Sequence, residues 1–98
     1  MNYKVIANGC PVEVYKERIF PMPYNEFKEM ECALFFMTDA CDIEIESEIE
    51  VKSVVVRPLS LGLEAKIDEG KIKIRIDKPC KFSVDINDSY ENNIVVFA

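Results

Sequence analysis

Few side chains in this sequence could do chemistry, and two carboxylates come first. Asp39 and Asp42 lie close together in "TDACD". Two acids held about 5–9.5 Å apart can cleave a glycosidic bond, one donating a proton while the other attacks or activates water. The plainer reading is preferred: Asp39 shapes a turn and Asp42 opens a strand. A second set is Glu44 and Glu46 against Lys71, Lys73 and Arg75. Such rows could form a binding face, but a solvated sheet surface with cross-strand ion pairs is the preferred reading. Arg57, just before Pro58, could clamp an anionic sugar. Because acids outnumber bases in this chain, a structural ion pair is preferred there too.

Tyr3, Tyr15, Tyr24 and Tyr90 could stack against sugar rings, since an aromatic face supplies contact area with a polar handle. The chain has no Trp, which counts against a dedicated sugar platform and favours tyrosines at core edges. Cys10, Cys32, Cys41 and Cys80 are widely and irregularly spaced, with no C-x-x-C and no His, so the usual zinc templates fail. Without His, no Cys-His nucleophile can form within the chain. Two disulfides in three connectivities are possible, but four reduced thiols are preferred, since cytosolic chains rarely keep disulfides. The three glycines are isolated, so no phosphate-cradling loop exists. The residues therefore nominate no catalytic, cofactor-binding or metal-binding side chain.

Composition narrows the partners. Twelve basic and 18 acidic residues give a net charge of −6. An acidic surface repels phosphate backbones and anionic headgroups, which argues against nucleic acid and membrane surfaces as partners. It would repel a polyuronate as well. No basic segment followed by an apolar run marks a leader, and no apolar stretch reaches the roughly 20 residues of a membrane helix. A cytoplasmic location is expected, or secretion if a leader has been removed; Met1 favours the first. A chain of 98 residues fits one domain that buries roughly 65% of its unfolded surface.

The elements that must hold these residues are strands. Ile72, Ile74 and Ile76 alternate with Lys71, Lys73, Arg75 and Asp77, and Phe82, Val84 and Ile86 alternate with Lys81, Ser83 and Asp85. Tyr3–Ala7 and Val12–Ile19 read as a hairpin about Asn8-Gly9, with Pro11 outside the ladder. The prolines of "FPMPYNEF", residues 20–27, predict an extended loop whose Phe20, Met22 and Tyr24 rest on the core edge. In residues 26–37 the first half could make a helical turn, and Cys32–Met37 reads as a buried strand. Asp42–Glu46 is a strand, a turn falls around residues 47–50, and Val54 and Val56 face inward before Pro58 stops their strand. Further strands are expected near Leu63–Ile67, Lys71–Asp77, Cys80–Asn87 and Ile94–Ala98, with a turn at Asp68-Glu69-Gly70. Many short alternating strands predict an all-β, two-sheet antiparallel β-sandwich of about 8–10 strands in a single domain, residues 1–98. The strand-like ending "NIVVFA" hints at a piece cut from a longer protein.

Three phrases occur in order: "ANGCPVEVYKERIFPMPYN", "VKSVVVRPLSLGLEAKIDEGKIKIRIDKPCKFSVDIN" and "NIVVFA". Together they resemble the N-terminal β-sandwich of bacterial polygalacturonase-type glycoside hydrolases. The similar parts are Asn8-Gly9 to Tyr15, Val54 to Ser60, Lys78 to Asn87, and Val95 to Ala98. The segment between Asn25 and Leu34 is shorter than in that group, and the cysteines match no pattern of it. The resemblance implies a parent enzyme that cleaves α-linked galacturonan, or a related pectic glycan, by inverting hydrolysis on a β-helix domain, which would be this module's intramolecular partner. None of the group's catalytic phrases occurs here: no Asn-Thr-Asp, Asp-Asp, Gly-His-Gly or Arg-Ile-Lys. No catalytic residue is carried over, and the resemblance implies no cofactor. The expected function is a non-catalytic accessory domain of a pectin-degrading hydrolase. The alternatives are a carbohydrate-binding module and a free-standing structural or adhesive sandwich.

Overall fold

The computed structural model describes residues 2–19, 28–88 and 92–98. Residues 71–86 show how the sequence closes on itself. The strand Lys71–Ile76 (β8) buries Ile72, Ile74 and Ile76, each 2% exposed or less. The chain then turns through Asp77–Cys80, and Lys81–Ile86 (β9) buries Phe82, Val84 and Ile86 at 1% or less. These two ribbons lie in different sheets, so each supplies an oily face for the other's sheet to cover. Burying one such side chain contributes about 1.5–3 kcal/mol.

Ten strands form two five-stranded sheets among the described residues, bearing out the all-β two-sheet sandwich; it is not antiparallel throughout, since Lys28–Leu34 and Asn93–Phe97 pair in parallel. The strands before β8 are Tyr3–Ala7 (β1), Cys10–Val12 (β2), Val14–Ile19 (β3), Lys28–Leu34 (β4), Cys41–Ser47 (β5), Val54–Arg57 (β6) and Ala65–Asp68 (β7). Asn93–Phe97 (β10) follows β9. The first sheet runs β2-β1-β5-β8-β7 and the second β3-β4-β10-β9-β6. Val5, Ile43, Ile45, Ile72, Ile74 and Ile76 from the first meet Ala33, Val56, Phe82, Val84, Ile86, Ile94 and Val96 from the second in one core. Across it, the Tyr3 backbone N–H donates to Glu31 Oε2 at 3.3 Å, a polar tie between β1 and β4.

Several expectations need correction. Val12–Ile19 is not one strand: it breaks at Glu13, where the chain leaves the first sheet for the second. Pro11 lies inside the ladder, opposite Ile6. In a two-residue hairpin the Ala7–Cys10 pair flanking the turn carries the hydrogen bonds, so Ile6–Pro11 is a pair without them. The missing N–H of Pro11 therefore faces the open edge of β2, where nothing needs it. Asn8 and Gly9 both adopt positive φ (48° and 79°), which this tight turn requires. The possible helical turn in the first half of residues 26–37 is instead the start of β4 from Lys28 onward. "KEME" has helical composition, but an antiparallel partner in β3 and a parallel one in β10 override it. The strand expected through Met37 ends at Leu34, and Phe36 stands 87% exposed. Phe20, Met22 and Tyr24, with the rest of the proline-rich segment, lie outside the described residues.

The remaining elements follow the rhythm of the sequence. β5 ends at Ser47 and a bend covers Glu48 and Ile49. β6 ends at Arg57, before a cis bond to Pro58 and a short 3-10 turn at Leu59–Leu61. β7 begins two residues later than Leu63 and turns into β8 through Glu69-Gly70, again with both φ values positive (52° and 76°). The unbroken apolar run of β10 has a physical reason: it is the central strand of its sheet, and Asn93, Ile94, Val95 and Val96 are all buried. We expect Ile74→Ala, at a site 2% exposed, to lower the unfolding free energy in urea by about 2–5 kcal/mol. Ile67→Ala, at a site 42% exposed on the edge strand β7, should cost less than half of that.

Candidate functional site

The charged face of the first sheet is built by register. β5 and β8 pair so that Asp42 lies opposite Arg75 and Glu44 opposite Lys73. Arg75 Nη1 reaches Asp42 Oδ2 at 2.9 Å, and Arg75 Nε also lies 3.8 Å from Asp77. Lys71 Nζ reaches Glu46 Oε1 at 3.1 Å. Lys73 faces the like charge of Lys66 across β7, and its ammonium turns diagonally to Asp68 Oδ2 at 3.0 Å, leaving Glu44 at 3.9 Å. Each cation is held charged to higher pH than usual by its carboxylate partner. The hydrogen bond and charge of Glu46 do this for Lys71, those of Asp68 for Lys73 and those of Asp42 for Arg75. The row of acids and bases is thus a set of solvated cross-strand pairs, as the plainer reading expected.

Asp39 and Asp42 have structural roles. Asp39 lies in an exposed bend. The Asp42 backbone N–H donates to Asn8 Oδ1 at 2.9 Å, and Asn8 N–H donates back to the Asp42 carbonyl at 2.9 Å. Asn8 Nδ2 adds a bond to the Ala40 carbonyl at 3.2 Å. The first hairpin is in this way stitched to the start of β5. The turn at Asn8 is legible in the sequence, whereas its side-chain bonds to residues 40 and 42 are long-range and leave no local signal. Asn87 is a second unforeseen joint. Its Oδ1 accepts N–H bonds from Lys52 (2.6 Å) and Ser53 (3.2 Å), while its Nδ2 donates to the Glu50 carbonyl at 2.8 Å.

Arg57 Nε meets Asp85 Oδ2 at 3.0 Å, and Asn93 Nδ2 donates to the other Asp85 oxygen. The expected structural ion pair is present. Tyr3 and Tyr15 sit on different sheets, so they do not form one stacking platform; Tyr24 and Tyr90 lie outside the described residues. Tyr3 is buried at a core edge. Burial, then the charges of Glu31, Glu48 and Asp85, push its phenol up to about 12. Its Oη has no hydrogen-bond partner among the described residues. All four cysteines are free thiols. Cys32 and Cys41 are buried and Cys80 half-buried, and burial raises all three above the ordinary thiol range. No group of three or more metal-ligating residues occurs among the described residues.

One open groove of about 610 Å³ crosses the charged face. Asp42, Glu44, Lys73 and Arg75 form its floor, and Leu61, Leu63 and Glu64 one wall. It offers hydrogen-bonding side chains beside two leucines. With no His in the chain, it has no Ser-His or Cys-His pair.

The fold has a solved counterpart. Dex49A from Penicillium minioluteum is similar with a TM-score of 0.70 at 19% sequence identity. The match covers 98% of this chain and 28% of that one, so the chain spans less than a third of its structural relative. No protein-family model and no curated protein matches the sequence.

Two solution measurements check this geometry. Tyr3 carries its proton more tightly folded than unfolded, since an unfolded tyrosine titrates near 10. Its contribution to stability is therefore complete below about pH 10 and falls away as pH rises toward 12. A spectrophotometric phenol titration should show one late step that Tyr3→Phe removes, and that variant should lose less stability at alkaline pH. With a thiol reagent in native buffer, the exposed Cys10 should react fast and the other three slowly, all four becoming equal in denaturant.

Proposed function

We propose that this chain is a non-catalytic accessory domain of a polygalacturonase-type glycoside hydrolase that acts on pectic polysaccharide. In this reading it packs against the enzyme's β-helix catalytic domain and supports it. The observation that carries the reading is the fold match. The sandwich aligns over nearly its whole length with the glycoside hydrolase Dex49A, and that alignment takes up only 28% of the larger chain. A domain of this fold thus occurs within a hydrolase whose remaining residues are free for other tasks. The resemblance carried by the ordered phrases from Asn8 to Ala98 implies galacturonan or a related pectic glycan as the substrate class. The ion pairing of Asp42, Glu46, Asp68 and Asp85 also favours a scaffold, because acids already engaged by cations are poor candidates for bond cleavage.

The groove beside Leu61 and Leu63 favours a second reading, a carbohydrate-binding module. Against it stands the net charge of −6, which opposes a polyanionic ligand. A free-standing structural or adhesive sandwich is the third reading, and a reading frame that stops at Ala98 would favour it. Release of reducing ends from polygalacturonate is expected from the full-length protein and not from residues 1–98 alone. Turnover by residues 1–98 would end the accessory reading. Calorimetry with oligogalacturonides should give no binding heat at millimolar ligand; measurable heat would move the assignment to a binding module.

A further inference from the structure

The groove over the first sheet is lined by charges that nearly cancel. Among its described residues are four acids, Asp42, Glu44, Glu64 and Asp77, against three bases, Lys66, Lys73 and Arg75. The local net charge is therefore −1, in a chain that carries −6. The floor comes from register, since Asp42 lies opposite Arg75 and Glu44 opposite Lys73 across β5 and β8. The wall comes from the short turn at Leu59–Leu61, closed by Gly62 at a φ of 66° with its N–H donating to the Leu59 carbonyl. β7 begins at Ala65, opposite Ile74, and residues 61–64 lead into it along the flank of the groove. Leu61 and Leu63 pack against the core and line the groove as well. Its volume of about 610 Å³ falls within the roughly 300–1,000 Å³ of small-ligand sites.

We infer that this groove binds a neutral oligosaccharide, a ligand rich in hydroxyls and free of carboxylates. This rests on the carbohydrate-binding reading and adds the class of sugar; the accessory-domain reading does not depend on it. The floor alternates acceptors with donors. A sugar hydroxyl donates and accepts at once, so it can bridge a carboxylate and its neighbouring cation without leaving either charge unmatched. The ion pairs leave capacity for such a bridge. Arg75 has five N–H groups, and its partners Asp42 and Asp77 meet only Nη1 and Nε. The Lys73 ammonium has three donors, one of them given to Asp68. Leu61 and Leu63 offer apolar area to the C–H face of a sugar ring, the usual complement to a few fixed polar groups. Charge decides between sugar classes. A nearly balanced floor supplies no field to hold a polyanion, and the acidic chain around it repels one, whereas a neutral glycan meets neither obstacle.

Backbone amide shifts of the 98-residue chain, followed by NMR during titration, test the assignment. The probes are neutral galactan, arabinan and glucan oligosaccharides, with oligogalacturonide of matched length as the charged counterpart. A neutral probe should move the amides of residues 61–66 and 73–77 and saturate at millimolar concentration, with no loss at raised salt. Oligogalacturonide should leave them in place. Arg75→Ala, at a side chain 57% exposed, should keep the folded spectrum and weaken binding about tenfold, the usual loss of one hydrogen bond to a charged group. Lys71→Ala breaks an equivalent ion pair, with Glu46, on the same face but outside the groove lining, and should bind as the unmodified chain does. Equal weakening by both variants would overturn the groove as the contact. Stronger shifts of the same amides by oligogalacturonide would overturn the ligand class. Neutral sugars that move amides elsewhere would leave the carbohydrate-binding reading standing and overturn this site. If no probe moves any amide, that reading and this site fall together, while the accessory-domain reading stands on its own test of catalysis.

Discussion

Everything in this molecule depends on two oily faces closing over one another. Ile43, Ile45, Ile72, Ile74 and Ile76 line one, and Phe82, Val84, Ile86, Ile94 and Val96 the other, all nearly without solvent contact. Neither sheet could be stable alone, because each would leave a row of branched aliphatic side chains in water. Period-two alternation places those residues on one side of each strand, and the same alternation forces the polar residues to the other side. The charged outer face of the first sheet is therefore a consequence of the core, and its ion pairs follow from the register that the core selects.

Polar joints fasten the loops to the sheets. Asn8 binds the first hairpin to residues 40 and 42, and Asn87 gathers the backbone of residues 50, 52 and 53. Both asparagines have positive φ, 48° and 58°, a conformation that asparagine tolerates better than other side chains apart from glycine. Each thus bends the chain and satisfies loop backbone groups that would otherwise compete with the sheets for hydrogen bonds. Asp85 has a comparable role at the surface of the second sheet, where it joins Arg57 on β6 to Asn93 on β10 across β9.

Legibility in the sequence varied with the source of each signal. β5, β8 and β9 were readable because one face is wet and one dry, which writes alternation directly into the chain. β10 was readable as a strand but not as a central one, since a run buried on both faces has no period. The start of β4 is ambiguous in the sequence because its composition is helical and only its two strand partners decide otherwise. The split at Glu13 was invisible, because a change of sheet needs only one unpaired residue. The ion pair of Arg57 could be expected from the surplus of acids, but its partner Asp85 is 28 residues away and no local pattern names it. The Asn8 and Asn87 joints escaped for the same reason of distance.

A sandwich whose surface only needed solubility would be wetted in the same way on both outer faces. The first sheet meets that expectation, with Lys71, Lys73 and Arg75 each carrying a carboxylate partner. The second does not, since its central strands turn Val95 and Cys32 outward and bury them, while Leu34 and Phe36 remain open. Exposed apolar surface carries an aggregation cost for a soluble domain unless something covers it. A scaffold that is polar on one side and apolar on the other has a direction built into it. Its paired acids lie on the polar side, where each is held by a cation, so the two sides differ in charge as well as in polarity.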